Sequence, residues 1–181
     1  MNADDEAWVS EAMAGDSKAF ARLVERYERP LYNLALRILR NREDARDVTQ
    51  TAFVKAFEKR GSFDPSRKFF SWIYRIALNE SMNLLARQRA RALVELDPPA
   101  RGRSPEEEFD HAVRRERIEV AIESLPVDLR VVIALRHVVE LSYREIASVL
   151  DLPEETVKSR LFSARRRLRE MLQESSVGKE I

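Results

Sequence analysis

Apolar residues recur every three to four positions along most of the chain, the period of helices that bury one face. Phe20, Leu23, Val24 and Tyr27 sit at i, i+3, i+4 and i+7, with Asp16 placed ahead of them as an N-cap. Pro30 reads as restarting the helix, after which Leu31, Leu34, Ala35, Ile38 and Leu39 repeat the pattern. Ala45, Val48, Thr49, Ala52, Phe53, Ala56 and Phe57 carry it through a third helix. Gly61 to Lys68 is a loop, marked by Gly61 and the Asp64-Pro65 pair. A fourth helix is expected from about Phe69 to Arg91, with Trp72, Ile73, Ile76 and Ala77 inward and both Phe69 and Trp72 mostly buried.

The pattern breaks between Leu93 and Arg103, where Pro98, Pro99 and Gly102 mark a linker. Ser104, Pro105 and Glu107 have the layout of a capped helix start, for a helix reaching Ser124. Pro126 opens another helix through Val139, and Ser142 with Glu145 forms a capping box for a short one ending at Leu150. Asp151-Leu152-Pro153 is a tight turn, and a last helix runs from Glu154 to about Glu174. No segment alternates as a strand does, so the expected fold is all-α: two small helical domains, 1–92 and 105–181, joined by a flexible linker at 93–104.

Composition narrows the function by exclusion. The absence of cysteine rules out disulfides and thiolate metal sites. The acidic N-terminus lacks a signal-peptide profile and no apolar run has membrane-spanning length, so a cytoplasmic location is the expectation. His111 and His137 are isolated, and there is neither a phosphate-binding glycine loop nor a nucleophile motif. Neither cofactor nor metal, small-molecule substrate nor catalytic residue is therefore expected.

Net charge is only +1, but the charges are segregated. Thr156 to Arg169 is free of acids and carries Lys158, Arg160, Arg165, Arg166, Arg167 and Arg169. Arg67 to Arg91 carries Arg67, Lys68, Arg75, Arg87, Arg89 and Arg91 against Glu80 alone. Acids gather at Asp4 to Glu6, Glu43 to Asp47 and Glu106 to Asp110. Separate basic surfaces suggest more than one macromolecular contact.

Tyr143 to Arg169 has the layout of a helix-turn-helix. Ile146, Ala147 and Leu150 would face inward from its first helix, and Val157, Leu161, Ala164, Leu168 and Leu172 from its second. Asp151 stands where many such turns have glycine, and aspartate tolerates the left-handed conformation better than most residues. Lys158, Ser159, Phe162, Arg165, Arg166 and Arg169 point the other way. An outward phenylalanine among cations suits a helix in the major groove, where the ring meets a thymine methyl while the cations meet phosphates or guanine edges.

The fourth helix carries a second polar stripe: Arg75, Asn79, Asn83, Arg87 and Arg91, four residues apart. Asparagine pairs a donor and an acceptor for base edges, and arginine supplies charge for phosphates. Phe63, Phe69, Phe70, Trp72 and Tyr74 lie beside it, and rings beside cations are what a single strand needs. Phe63, on the loop, is the better candidate for an extruded base. The third helix shows an outer face of Asp44, Asp47, Gln50, Thr51 and Glu58, which fits either a solvated surface or a protein partner.

These segments, DARDVTQTAFVKAF from Asp44 to Phe57, FDPSRKFFSWIYRIALN from Phe63 to Asn79, and Leu125-Pro126 with YREIASVLDLPEETVKSRLFSARRRL from Tyr143 to Leu168, resemble the extracytoplasmic-function (ECF) group of bacterial RNA polymerase sigma factors. The resemblance covers about Asp16 to Leu172 and implies two helical domains, region 2 and region 4. It places Asp44, Asp47 and Gln50 where the family docks on the clamp helices of core polymerase, with the flap as a further contact. It places Phe63 and Asn79 where a base is flipped from the −10 element, with Arg75, Asn83 and Arg87 on the same surface. Lys158, Ser159 and Phe162, flanked by Arg165 and Arg166, fall where the −35 element is read.

The linker would thread the polymerase channel. The resemblance further implies a monomer when free, nucleoid-associated when active and held, at the membrane or elsewhere, by an anti-sigma factor. Pro65, Asn83 and Ser163 depart from common family residues, which bears on promoter sequence rather than function class.

Two rival readings are distinguishable. A stand-alone helix-turn-helix regulator leaves Phe63 to Arg91 idle and binds an operator without polymerase. A sigma mimic that only sequesters an anti-sigma factor does not need the basic face of the last helix.

Overall fold

The computed structural model describes residues 3–95 and 109–177, with side chains described for 5–91 and 117–173. Among these residues there are only helices and turns. The first group comprises α1 (Ala3–Met13), α2 (Ser17–Leu39), α3 (Arg42–Glu58), a 3-10 turn (Arg60–Ser62) and α4 (Phe69–Glu95). The second comprises α5 (Phe109–Ser124), α6 (Val127–His137), α7 (Tyr143–Leu150) and α8 (Glu154–Val177).

Local capping chemistry sets several helix ends. Asp16 accepts from the backbone of Lys18 at 2.7 Å and Ala19 at 3.2 Å, using two of the amides that a helix start leaves unpaired. Asn41 does the same for α3. The capping box of α7 is complete: the Ser142 hydroxyl accepts from Glu145 N, and the Glu145 carboxylate accepts from Ser142 N at 2.9 Å. Asp151 ends α7 with φ 56°, in the left-handed region that the turn requires.

Pro30 does not restart a helix: α2 runs unbroken through it. Proline has no N–H for the carbonyl of Arg26, a loss on the order of 3 kcal/mol in a helix interior. The stripe Phe20, Leu23, Tyr27, Leu31, Leu34 and Ile38 continues across it and is buried throughout. Each large apolar side chain there contributes about 1.5–3 kcal/mol, so packing outweighs the missing bond. Phe57 is also not in the core; its ring is 37% exposed, edge-on to Phe20 with the Arg60 guanidinium above it.

In α4 the buried arc is Phe69, Phe70, Ile73, Tyr74, Ala77 and Leu78, while Trp72 and Ile76 are only half-buried. The arc differs from the expected one because α4 packs on α2 and α3 on one side and on α7 on another. It also continues to Glu95, past the expected domain limit. The rest of the proposed linker, and the cap at Ser104 to Glu107, lie outside the described residues. In α7 it is Val149, together with Ile146, that is buried; Ala147 and Leu150 are half-buried.

The two helical groups pack against each other, α2 on α6 and α4 on α7, and one continuous apolar cluster includes Leu34 and Ile73 from the first and Leu135 and Ile146 from the second. Polar contacts flank it. Arg130 donates to the Ile38 carbonyl at 3.2 Å and to the Glu123 and Leu125 carbonyls at 2.8 and 3.1 Å. Arg37 pairs with Glu119 at 3.0 Å, and Arg40 pairs with Glu123.

Candidate nucleic-acid and polymerase interfaces

The outward face of α8 follows from its amphipathic sequence. Val157, Leu161 and Ala164 are buried, which turns Lys158, Ser159, Phe162, Arg165, Arg166 and Arg169 to the exterior. Phe162 is 68% exposed. Leaving a ring in water forgoes about 1.5–3 kcal/mol of burial, so this position is suited to a partner surface. Lys158 donates to Glu155 at 2.8 Å and lies 3.7 Å from Glu154. The hydrogen bond to Glu155 raises its pKa, so it remains a cation. Arg160 turns aside toward Asp128, at 3.9 Å. His137 is held below its ordinary pKa by burial and by the nearby Arg165 and Arg136.

The second surface is built from the loop after the 3-10 turn and from α4. Asp64 organises the loop, accepting from the Ser66 hydroxyl at 2.7 Å and its amide at 2.9 Å, and these bonds lower its pKa. Phe63 is half-buried, its ring 5.2 Å from that of Trp72 and 6.0 Å from that of Phe69. Asn79, Asn83 and Arg87 are exposed along α4, with Arg87 Nε donating to the Asn83 carbonyl at 3.3 Å. Glu80, the acid of this stretch, is taken by Lys55 at 2.6 Å.

Arg75 is placed differently from the rest of its stripe. Its Nη2 donates to the Ser148 carbonyl at 2.7 Å and its Nε to the Val149 carbonyl at 3.2 Å, and Asp151 lies 3.7 Å away. The last carbonyls of a helix have no intrahelical partner and carry the negative end of its dipole. Arg75 therefore caps the C-terminus of α7. Beside it Ser148 Oγ donates to Ser71 Oγ at 3.1 Å. Neither this cap nor the Arg130 bond to the Ile38 carbonyl was visible in the sequence pattern, because each joins residues more than 70 positions apart.

On α3, Asp47 and Gln50 are exposed, and Asp44 is half-buried and accepts from Gln88 at 2.9 Å. Asp47 and Gln50 face away from the buried Ala45, Val48 and Ala52, and Asp44 lies at the edge of that buried face. Helix α1 was also not anticipated. It brings Asp5 to 3.2 Å from the Tyr27 hydroxyl in a buried contact, and only the pairing of Trp8 and Val9 with Ala12 and Met13 hinted at it. Among the described residues, no cluster of His, Asp or Glu is arranged to hold a metal, and no helix is long and apolar enough to cross a membrane.

Residues 23–91 match the family profile of sigma-70 region 2, and residues 115–168 that of sigma-70 region 4. The ECF RNA polymerase sigma-E factor of Escherichia coli K12 is 37% identical over 179 residues, covering 89% of this chain and 90% of that protein. The solved structure of CnrH, in complex with the cytosolic domain of CnrY, superposes with a TM-score of 0.74 at 29% identity, covering 94% of this chain and 97% of that one. The sigma factor RpoE of Bartonella quintana, solved with the anti-sigma factor NepR, has the same fold with a TM-score of 0.73 at 22% identity, over 86% of this chain and 98% of that one.

Proposed function

The chain belongs to the ECF group of RNA polymerase sigma factors, and from that premise we propose how its surfaces divide the work of starting transcription. It is an alternative sigma factor, a subunit that binds core polymerase and directs initiation at particular promoters. Residues 105–181 form the duplex-reading module: Lys158, Arg165 and Arg166 meet phosphates and guanine edges of the −35 element while Ser159 and Phe162 fix register and contact a thymine methyl. Residues 1–92 form the melting module: Phe63 and Asn79 take a base extruded from the −10 element, and Asn83 and Arg87 follow the strand. Asp44, Asp47 and Gln50 dock on the polymerase clamp helices. The chemistry of RNA synthesis belongs to polymerase.

The single observation that carries this reading is the exposure of Phe162 amid the cations of α8, on a helix whose opposite face is buried at Val157, Leu161 and Ala164 and half-buried at Leu168 and Leu172. The test pairs run-off transcription by reconstituted holoenzyme with a core-binding assay. Lys158→Glu combined with Arg166→Glu removes two DNA contacts, worth about 1–3 kcal/mol each where they reach bases. It should lower −35-dependent initiation at least about tenfold while core affinity is retained. Full activity in that variant would remove α8 from promoter recognition.

The packing of region 4 on region 2 supports a further element of the reading. Elements centred roughly 25 base pairs apart are separated by about 85 Å of duplex at about 3.4 Å per base pair. Helices α4 and α7 in hydrogen-bond contact do not present their surfaces at that separation. The structure thus supports a closed, inactive arrangement that opens when polymerase spreads the domains. An anti-sigma factor, of the kind seen with the Bartonella quintana relative, would hold it closed in the cytoplasm.

A further inference from the structure

We infer that α1 is a positioning element for base capture, acting through Asp5 and Tyr27 on the aromatic platform beneath Phe63; this rests on the reading of Phe63 given above. Asp5 is 3% exposed and accepts from the Tyr27 hydroxyl at 3.2 Å. Among the described residues it is paired with the largely exposed Arg26, whose Nε is 3.9 Å away. A carboxylate is costly to bury, and such groups persist where hydrogen bonding fixes them. Here the bond fixes a ring. Tyr27 meets Phe69 edge-on at 5.6 Å, and Phe69 meets Phe63 at 6.0 Å and Trp72 at 5.9 Å. Phe69 is 1% exposed, so the tilt of Tyr27 constrains Phe69, and Phe69 with Trp72 forms the surface on which Phe63 rests.

A second route reaches the same residue through the backbone. Helix α1 packs on the 3-10 turn Arg60–Ser62. The Phe63 amide donates to the Arg60 carbonyl at 3.1 Å, so the turn fixes where the Phe63 backbone begins. The side-chain stack from below and the turn from behind both lead back to α1. A base-binding ring needs such support, because a site held about 1 Å too loosely loses much of its binding.

The experiment uses the full-length chain assembled with core polymerase and a single-stranded −10 oligonucleotide carrying 2-aminopurine at the flipped position. Tyr27→Phe removes only the hydroxyl, Asp5→Ala removes the acceptor, and Asp5→Asn keeps an acceptor oxygen for the tyrosine. Tyr27→Phe and Asp5→Ala are expected to weaken strand capture and its fluorescence signal about fivefold to twentyfold. Core affinity and −35 duplex binding should stay within about twofold, and Asp5→Asn should restore capture to within about twofold of the parent.

Phe63→Ala separates the two levels of the argument. If it abolishes capture while Asp5→Ala and Tyr27→Phe behave as the parent, the positioning role is overturned and base capture stands. If Phe63→Ala is itself without effect, base capture by Phe63 fails and the positioning role with it. A loss in Asp5→Ala and Tyr27→Phe that is matched by an equal loss of core and −35 binding also overturns the role, because it reports unfolding instead.

Discussion

The face of α8 proposed to read duplex and the face of α4 proposed to read a single strand are built to opposite plans. On α8 every outward residue is already exposed, and the helix is held from behind by Val157, Leu161 and Ala164. On α4 the surface is only partly assembled: Asn79, Asn83 and Arg87 are open, Phe63 lies against Trp72, and Arg75 is engaged with the end of α7. A duplex offers its groove edges without rearrangement, so its reader can be rigid and finished in advance. A flipped base exists only after melting, so its receptor needs contacts that are exchanged as the strand arrives. Arg75 shows how this is linked to the closed arrangement, because the same guanidinium cannot cap α7 and meet DNA.

The most severe way to break this comparison is to make the closed arrangement permanent. The chain has no cysteine, so Ser71→Cys with Ser148→Cys introduces one defined pair where the two Oγ atoms now lie 3.1 Å apart. Oxidation should abolish run-off transcription, by more than about 100-fold, since a covalent tie removes the open population. Reductant should restore it. Activity of the oxidised form, with the bond verified by mass, would show that α4 and α7 need not part.

Next in size is the contrast between two phenylalanines. Phe63→Ala should cost about 1–3 kcal/mol of single-strand binding, the value of one stacked base, and should lower thermal stability because the ring also packs on Trp72. Phe162→Ala should cost about 1 kcal/mol of −35 binding through lost apolar contact, with an unchanged melting temperature because the ring is 68% exposed. Parallel binding and melting measurements on the two variants check this, and equal stability losses would contradict the assignment of one conditional and one finished site.

The smallest effect is expected from Arg75→Ala. Hydrogen bonds from a charged group are worth about 1.5–3 kcal/mol when buried, and a side chain 30% exposed retains only part of that against solvent. A several-fold shift toward the open form is expected, read as an increased radius of gyration by small-angle scattering. The parent should approach the variant as salt rises, since Arg37–Glu119 and Arg40–Glu123 are screened as well. An unchanged radius in the variant would show that the apolar contact between the domains suffices.

Much was legible in the sequence because it depends on neighbours within a turn or two. Asp16, Ser142 with Glu145, and Asp151 set helix ends through bonds spanning two to four residues. The inward and outward faces of α8 follow from the period of one helix. Three features depended on distant parts of the chain: the continuity of α2 through Pro30, the half-exposure of Trp72, and the diversion of Arg75 to the Ser148 and Val149 carbonyls. Helical periodicity states which residues want burial, and local caps state where helices begin and end. Which helix supplies the burial, and which cation meets which carbonyl, is decided only when elements far apart in sequence pack together, because those interactions depend on distance in space.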